Sequence, residues 1–296
     1  MNSTEGTIPF RGHETWYRIV GDGEDPRKLP LLCLHGGPGA CHDYIESLER
    51  VAETGRRVIF YDQVGCGKSS RTDESMWNVE TFVEEVGAVR EALGLDQTHI
   101  FGSSWGGMLA MEYALTRPSG VASLTISSSP ASIPLWAEET GRLRSELPHD
   151  VRATLDEHEA AGTTDSPEYQ AATMVFYKRH VCRLDEWPDG ILRTFTKLEE
   201  NPDVYLYMQG PNEFVITGTF KDWDITDRLG EIGVPTLITT GRHDECTPKQ
   251  AEIVHRGIPG SEWVVFEDGS HTQFAEEPGR YLEVLDGFLT RVESGR

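Results

Sequence analysis

The sequence predicts an α/β protein: a mostly parallel sheet flanked by helices, carrying an inserted α-helical cap. Three observations predict it. Short apolar runs closed by Gly, Pro or Asp recur along the chain. Stretches with helical spacing lie between them. This alternation breaks off between about residues 130 and 222 and then resumes.

The first run, Leu29–Leu34, stops at His35-Gly36-Gly37-Pro38-Gly39, and the second, Arg57–Tyr61, stops at Asp62-Gln63-Val64-Gly65. His99–Phe101 stops at Gly102, and Val121–Ser127 stops at a Ser-rich stretch. Val234–Thr240 ends at Gly241, and Glu262–Glu267 at Asp268-Gly269. Runs of this length with such boundaries read as buried strands. Val79, Phe82, Val83, Val86, Val89, Ala92 and Leu93 recur at helical spacing, with Gly94 as a stop. Met108–Arg117 reads as a helix ending before Pro118, and Glu252–Gly257 and Tyr281–Val292 read as two more. Strands alternating with helices imply a parallel sheet covered on both faces. Between Pro130 and Asp222 the chain is polar and largely helical, with Trp136, Trp187, Tyr205 and Tyr207 scattered through it. The expected division is a core of residues 1–130 and 223–296 with a cap at 131–222.

Composition bounds the function. With 296 residues, 38% of them hydrophobic, the chain can fill an α/β core and an inserted unit. No apolar run approaches the roughly 20 residues of a membrane-spanning helix. The start, Met1 to Gly6, lacks the basic-then-apolar pattern of a secretory signal, so a soluble cytoplasmic protein is expected. Cys33, Cys41, Cys66, Cys182 and Cys246 are odd in number and form no CxxC pair. Free thiols are therefore expected, not a disulfide framework or a zinc site. Asp and Glu number 49 against 27 Lys and Arg, a formal net charge of −22. That surface repels nucleic-acid phosphates and anionic membranes, and neither is an expected partner.

Gly102-Ser103-Ser104-Trp105-Gly106 matches G-x-S-x-G directly after a strand and before a helix, the context that makes Ser104 a nucleophile in an α/β-hydrolase fold. A sharp strand-to-helix turn holds such a serine in a strained conformation, packed so close to its neighbours that they must be glycine. Ser103 is in the wrong register. A serine hydroxyl needs a base, and His271 in Asp268-Gly269-Ser270-His271, just past the last run, is the candidate; His243 is its rival. The orienting acid should end a strand and precede the histidine. Asp244 does so, whereas Asp222, Asp224 and Asp227 precede that strand and Asp268 is too near His271 in sequence. Acyl transfer also needs oxyanion donors, and the N–H groups of Gly37 and Trp105 are expected to supply them. The glycine loop at 35–39 lacks a Walker lysine or GxGxxG spacing, which argues against a phosphate site. Neither a metal nor an organic cofactor is expected.

The motifs His35-Gly36-Gly37-Pro38-Gly39, Asp62-Gln63-Val64-Gly65-Cys66-Gly67-Lys68-Ser69 and Gly102-Ser103-Ser104-Trp105-Gly106-Gly107 resemble those of the proline iminopeptidases. Gly210–Phe214, Lys221–Ile225 and Gly241–Glu245 extend the resemblance, most closely to the tricorn-interacting aminopeptidases. The family's usual Arg after Asp-Gln is Val64 here, a change expected to touch packing more than chemistry. The resemblance implies release of an N-terminal residue, often proline, from short peptides with a free N-terminus. It also implies a working partnership with a larger peptide-producing protease. In the family, carboxylates from the cap and the acid loop hold the substrate amine, and Glu213 and Glu245 stand at the matching places. An exopeptidase must sense a cationic amine beside the scissile carbonyl, and a secluded carboxylate pair can do so. The same triad would also serve an amidase or esterase acting on amino-acid amides or other small acyl compounds. A catalytically silent binding module is the rival of another class, against which an intact triad argues.

Overall fold

The computed structural model describes residues 1–295. Each of the six apolar runs is a strand: β3 (Leu31–Leu34), β4 (Val58–Tyr61), β5 (Thr98–Ser103), β6 (Val121–Ser127), β7 (Thr236–Gly241) and β8 (Glu262–Phe266). Ahead of them lies a hairpin, β1 (Ser3–Phe10) and β2 (His13–Val20), that the run pattern did not predict. Its turn is Arg11-Gly12, both at positive φ (47° and 84°), the backbone of a tight two-residue hairpin loop. The strands form one sheet in the order β1-β2-β4-β3-β5-β6-β7-β8. The hairpin joins it antiparallel and the rest pairs in parallel.

Alternate residues of each central strand face opposite sides, so the parallel sheet is apolar on both faces. Leu32 and Leu34 of β3, with Ile59 and Tyr61 of β4, pack under α1 (Val79–Ala92), α2 (Trp105–Leu115) and α8 (Pro248–Gly257). Leu31, Cys33, Val58 and Phe60 pack on the other face against α10 (Pro278–Ser294) and a 3-10 segment, His42–Thr54.

Helix ends follow local chemistry. Asn78 caps α1 by accepting the Thr81 N–H at 2.9 Å. The α2 helix begins at Trp105, three residues before the sequence pattern suggested, because Ser104 is its N-cap. Likewise α8 and α10 begin at Pro248 and Pro278, whose rings suit the first helical position. A short helix, α9 (Gln273–Glu276), precedes α10.

Between β6 and β7 lie α3 (Ile133–Ser145), α4 (His149–Ala161), α5 (Pro167–His180), α6 (Asp189–Glu200) and α7 (Asp203–Met208), with no strand among the described residues there. Leu143, Leu155, Tyr169, Phe176, Tyr177 and Phe214 give this region an apolar cluster of its own. It is tied down by charge. Glu139 of α3 accepts from Lys249 Nζ and Thr247 Oγ1, both at 2.9 Å. Arg193 and Lys197 of α6 reach Asp43 at 2.9 and 2.5 Å. The five cysteines are unpaired and buried. Among the described residues no helix is long and apolar enough to cross a membrane.

Candidate active site

Ser104 sits between the end of β5 and the start of α2 at φ 56°, ψ −126°, a conformation strained for any residue with a Cβ. Its neighbours leave no room for side chains. A Cβ on Gly106 would lie 2.1 Å from the Leu34 carbonyl oxygen, and one on Gly102 would lie 2.2 Å from that of Gly106. The Ser104 N–H donates to the Ser127 carbonyl at 2.9 Å, which anchors the turn to β6. Its hydroxyl has no hydrogen-bond partner among the described residues and faces a cavity.

His271 follows β8 in the loop before α9, and Asp244 follows β7. His271 Nδ1 lies 2.8 Å from Asp244 Oδ1. That oxygen also accepts the Cys246 N–H at 2.8 Å, and Oδ2 accepts the Gly241 N–H at 3.4 Å. With its proton on Nδ1, the imidazole keeps a free lone pair on Nε2. Burial disfavours the imidazolium, but the Asp244 charge and hydrogen bond, with the Glu213 and Glu276 charges, outweigh it, and the His271 pKa is raised. Ser104 and His271 line the same cavity, with no direct hydrogen bond between them; such contacts commonly tighten only when substrate arrives. His243, Asp222, Asp227 and Asp268 are exposed and, like Asp224, lie outside this cavity.

Gly37 (φ 111°) also lines the cavity, and neither its N–H nor that of Trp105 is bonded among the described residues. One side chain spans the two segments that carry them. Gln63 donates from Nε2 to the His35 carbonyl at 2.9 Å and accepts the Trp105 indole N–H at 2.8 Å. Its own N–H donates to His35 Nε2 at 2.9 Å, which leaves Nδ1–H to bond the Gly36 carbonyl at 2.9 Å. Tyr44 accepts the Gly36 N–H at 2.7 Å from the 3-10 segment. Val64, in place of the family's arginine, is fully buried in the core, and its N–H donates to Glu85 Oε1 at 2.9 Å.

Glu213 follows α7 in a turn shaped by Asn212, whose Oδ1 accepts the N–H groups of Phe214 and Val215 at 3.1 and 2.9 Å. The Trp136 indole N–H holds the Glu213 carbonyl at 2.7 Å, and Tyr205 Oη donates to its Oε1 at 2.6 Å. Glu245 is 1% exposed; its Oε1 lies 3.7 Å from His271 Nδ1 and its Oε2 has no partner among the described residues. Burial raises both carboxyl pKa values. Glu245, further opposed by the Glu213 and Asp244 charges, lies well above its ordinary value. Among the described residues neither carboxylate pairs with Lys or Arg.

These groups share one cavity of about 530 Å³, lined by Gly37, Ser104, Glu213, Glu245 and His271 together with residues of α5, α6 and α7. The C-terminal end of α5 meets both loops of the site. The His180 carbonyl accepts the N–H groups of Glu245 and His271, each at 3.2 Å. Val181 accepts from the Thr272 N–H at 3.1 Å and its hydroxyl at 2.9 Å. Ser104, His271, Gly37, Glu213 and Glu245 therefore line this cavity, and Asp244 lies one hydrogen bond behind it. Sequence reasoning missed Gln63, Tyr44 and Tyr205. The Asp-Gln motif was the available signal for Gln63. Nothing local distinguished the two tyrosines from core aromatics.

The alpha/beta hydrolase fold family matches residues 30–278. The chain is 43% identical over 295 residues to a proline iminopeptidase of Lactobacillus delbrueckii subsp. lactis, covering 98% of this chain and 99% of that one. The crystal structure of a proline iminopeptidase from Mycobacterium smegmatis superposes with a TM-score of 0.92 at 43% identity, covering 99% of both chains. The crystal structure of VinJ superposes with a TM-score of 0.95 at 42% identity, covering 98% of this chain and 99% of that one.

Proposed function

The chain belongs to the proline iminopeptidase family of α/β-hydrolases, and on that premise we propose that it is a serine exopeptidase releasing an N-terminal residue, preferentially proline, from short peptides. The observation that carries this reading is the carboxylate pair, Glu213 and Glu245, facing the cavity of Ser104 and His271 without a cationic side chain to neutralise it. A substrate ammonium supplies the missing charge, and only a free N-terminus carries one at that position.

In this reading residues 131–222 are the cap over a catalytic triad of Ser104, His271 and Asp244. The ammonium docks on Glu213 and Glu245. Ser104 Oγ bonds to the first carbonyl carbon as His271 Nε2 takes its proton, and Asp244 stabilises the imidazolium without accepting that proton. The oxyanion rests on the N–H groups of Gly37 and Trp105, whose spacing Gln63 braces. His271 then protonates the departing amine as the C–N bond breaks, and water resolves the acyl-enzyme. The five buried thiols support a cytoplasmic location. The likeness of Gly210–Phe214 and Gly241–Glu245 to tricorn-interacting aminopeptidases supports supply of its peptides by a larger protease.

The test is a pair of substrates. Proline 4-nitroanilide is turned over and its N-acetyl derivative is not, because acetylation removes the charge that the glutamates hold; equal turnover of the two ends the exopeptidase reading. Since His271 must be neutral to act and its pKa is raised above 6.5, kcat/KM falls as pH drops through a midpoint above that value. A pH profile with its acid limb below pH 6.5 contradicts the raised pKa of His271.

A further inference from the structure

Helix α1 reaches the loops around Gly37 and Trp105 with two side chains one turn apart. Phe82 packs its ring against that of Trp105, with centroids 5.8 Å apart. Glu85 lies behind the segment Asp62-Gln63-Val64 and is fully buried. Its Oε1 accepts the Val64 N–H at 2.9 Å and the Thr15 hydroxyl at 2.5 Å, while Oε2 is buried with no partner among the described residues. The bonded N–H belongs to the residue after Gln63, whose amide spans the segments carrying Gly37 and Trp105. Because Thr15 belongs to β2, Glu85 ties α1, the hairpin and this segment together.

No cation pairs with Glu85 among the described residues. Those of the hairpin, of α1 and of residues 62–78 are bonded elsewhere: Arg11 to Glu84, Arg18 to Glu49, Lys68 to Glu5, Arg71 to the Glu200 carbonyl and Arg90 to Tyr113. Helix α2 carries no Lys or Arg. The titratable groups facing Glu85 are Asp62, Tyr61 and Cys66, none of which brings positive charge. The two buried acids differ in their surroundings. Burial opposes the charge on Asp62, but the His42 ring and the Lys68 N–H, each at 2.8 Å, hold its pKa below the ordinary value. Burial raises the pKa of Glu85 to about 8; the Asp62 charge adds to this, and the bonds from Thr15 and Val64 offset it only in part.

Resting on the oxyanion hole of the proposed mechanism, we propose that Glu85 is a positioning residue for it: as a neutral carboxylic acid it fixes the Val64 N–H, and through it the Gln63 amide that spaces the two donors. Ionisation leaves a buried, charged Oε2 without a donor and beside the Asp62 carboxylate. Relief comes by parting α1 from residues 62–66, which shifts Gln63 and loosens the hole.

The experiment follows kcat and KM for proline 4-nitroanilide against pH on the full chain, for the unaltered protein, Glu85→Gln and Glu85→Leu. Glutamine keeps an acceptor for the Val64 N–H and cannot ionise, whereas leucine removes the acceptor. At neutral pH Glu85→Gln keeps kcat within about threefold of the parent and Glu85→Leu loses about tenfold or more; KM stays within about threefold in both, because Glu213 and Glu245 are untouched. One unit above its midpoint near pH 8 the parent's kcat is down to about a tenth of its plateau, and Glu85→Gln has no such limb. The pKa is higher folded than unfolded, so stability is lost as pH rises from about 4.5 to about 8, and the thermal midpoint of Glu85→Gln exceeds the parent's by a margin that widens over that window. One alkaline limb shared by parent and Glu85→Gln, or parent-like kcat in Glu85→Leu, overturns the assignment; where Glu85→Leu does not fold, the Glu85→Gln profile decides it. The rate of Ser104 labelling by a fluorophosphonate needs the oxyanion hole and no substrate amine, and it follows the same pH pattern. A parent that labels but leaves proline 4-nitroanilide intact therefore ends the exopeptidase reading alone, and its labelling profile against that of Glu85→Gln still upholds or overturns the role of Glu85.

Discussion

Ser104→Ala removes turnover of proline 4-nitroanilide, with kcat falling by at least about 10⁴-fold, while the thermal midpoint stays near that of the parent. Loss of the nucleophile leaves only oxyanion stabilisation and binding to accelerate the reaction. The structural effect is small because alanine keeps the Cβ that already tolerates φ 56°, and the Ser104 hydroxyl bonds to nothing among the described residues. Labelling by a fluorophosphonate disappears in the same variant. Turnover persisting at a tenth of the parent rate, or label retained on another residue, removes Ser104 from the mechanism.

Glu213→Gln lowers kcat/KM for free N-terminal substrates by about 2–5 kcal/mol, roughly 30- to 5,000-fold. The substitution is clean in shape. A glutamine oxygen can still accept from Tyr205 Oη, which lies 2.6 Å from Glu213 Oε1, and the backbone remains held by Trp136. Only the charge is lost. The preference for proline 4-nitroanilide over its N-acetyl derivative should shrink with it, because that preference is the ammonium's interaction with the pair. Unchanged kinetics on both compounds would assign amine recognition elsewhere in the cavity.

The parallel strands were legible because burial on both faces makes them continuous apolar runs. Leu31–Leu34 and Val58–Tyr61 have no exposed position to interrupt the signal. The hairpin β1–β2 was not legible in those terms. Ser3–Phe10 is an edge strand with its first three residues exposed, and its pattern is polar until Ile8. The Arg11-Gly12 turn was its one local mark. Ser104, His271 and Asp244 could be read because each lies within five residues after a strand, so position in the chain fixes place at the edge of the sheet. Tyr205 could not, because its contact with Glu213 depends on how α7 packs, and helix packing leaves no short-range trace. Tyr44 was hidden for a similar reason: in its 3-10 segment the buried residues Ile45, Leu48 and Val51 recur every three positions, and Tyr44 stands beside that stripe, not in it.

The bonds at His180 and Val181 limit how this enzyme can be re-engineered. They are made by main-chain oxygens, and the side chains add to them: the His180 ring bonds the His243 carbonyl at 2.9 Å, and Val181 is buried in the apolar cluster of this region. Register matters as well. One residue added to or removed from α5 turns its tail by about 100° and carries those oxygens away from residues 245, 271 and 272. Grafting this helix from a relative of different taste is therefore a question of length before identity.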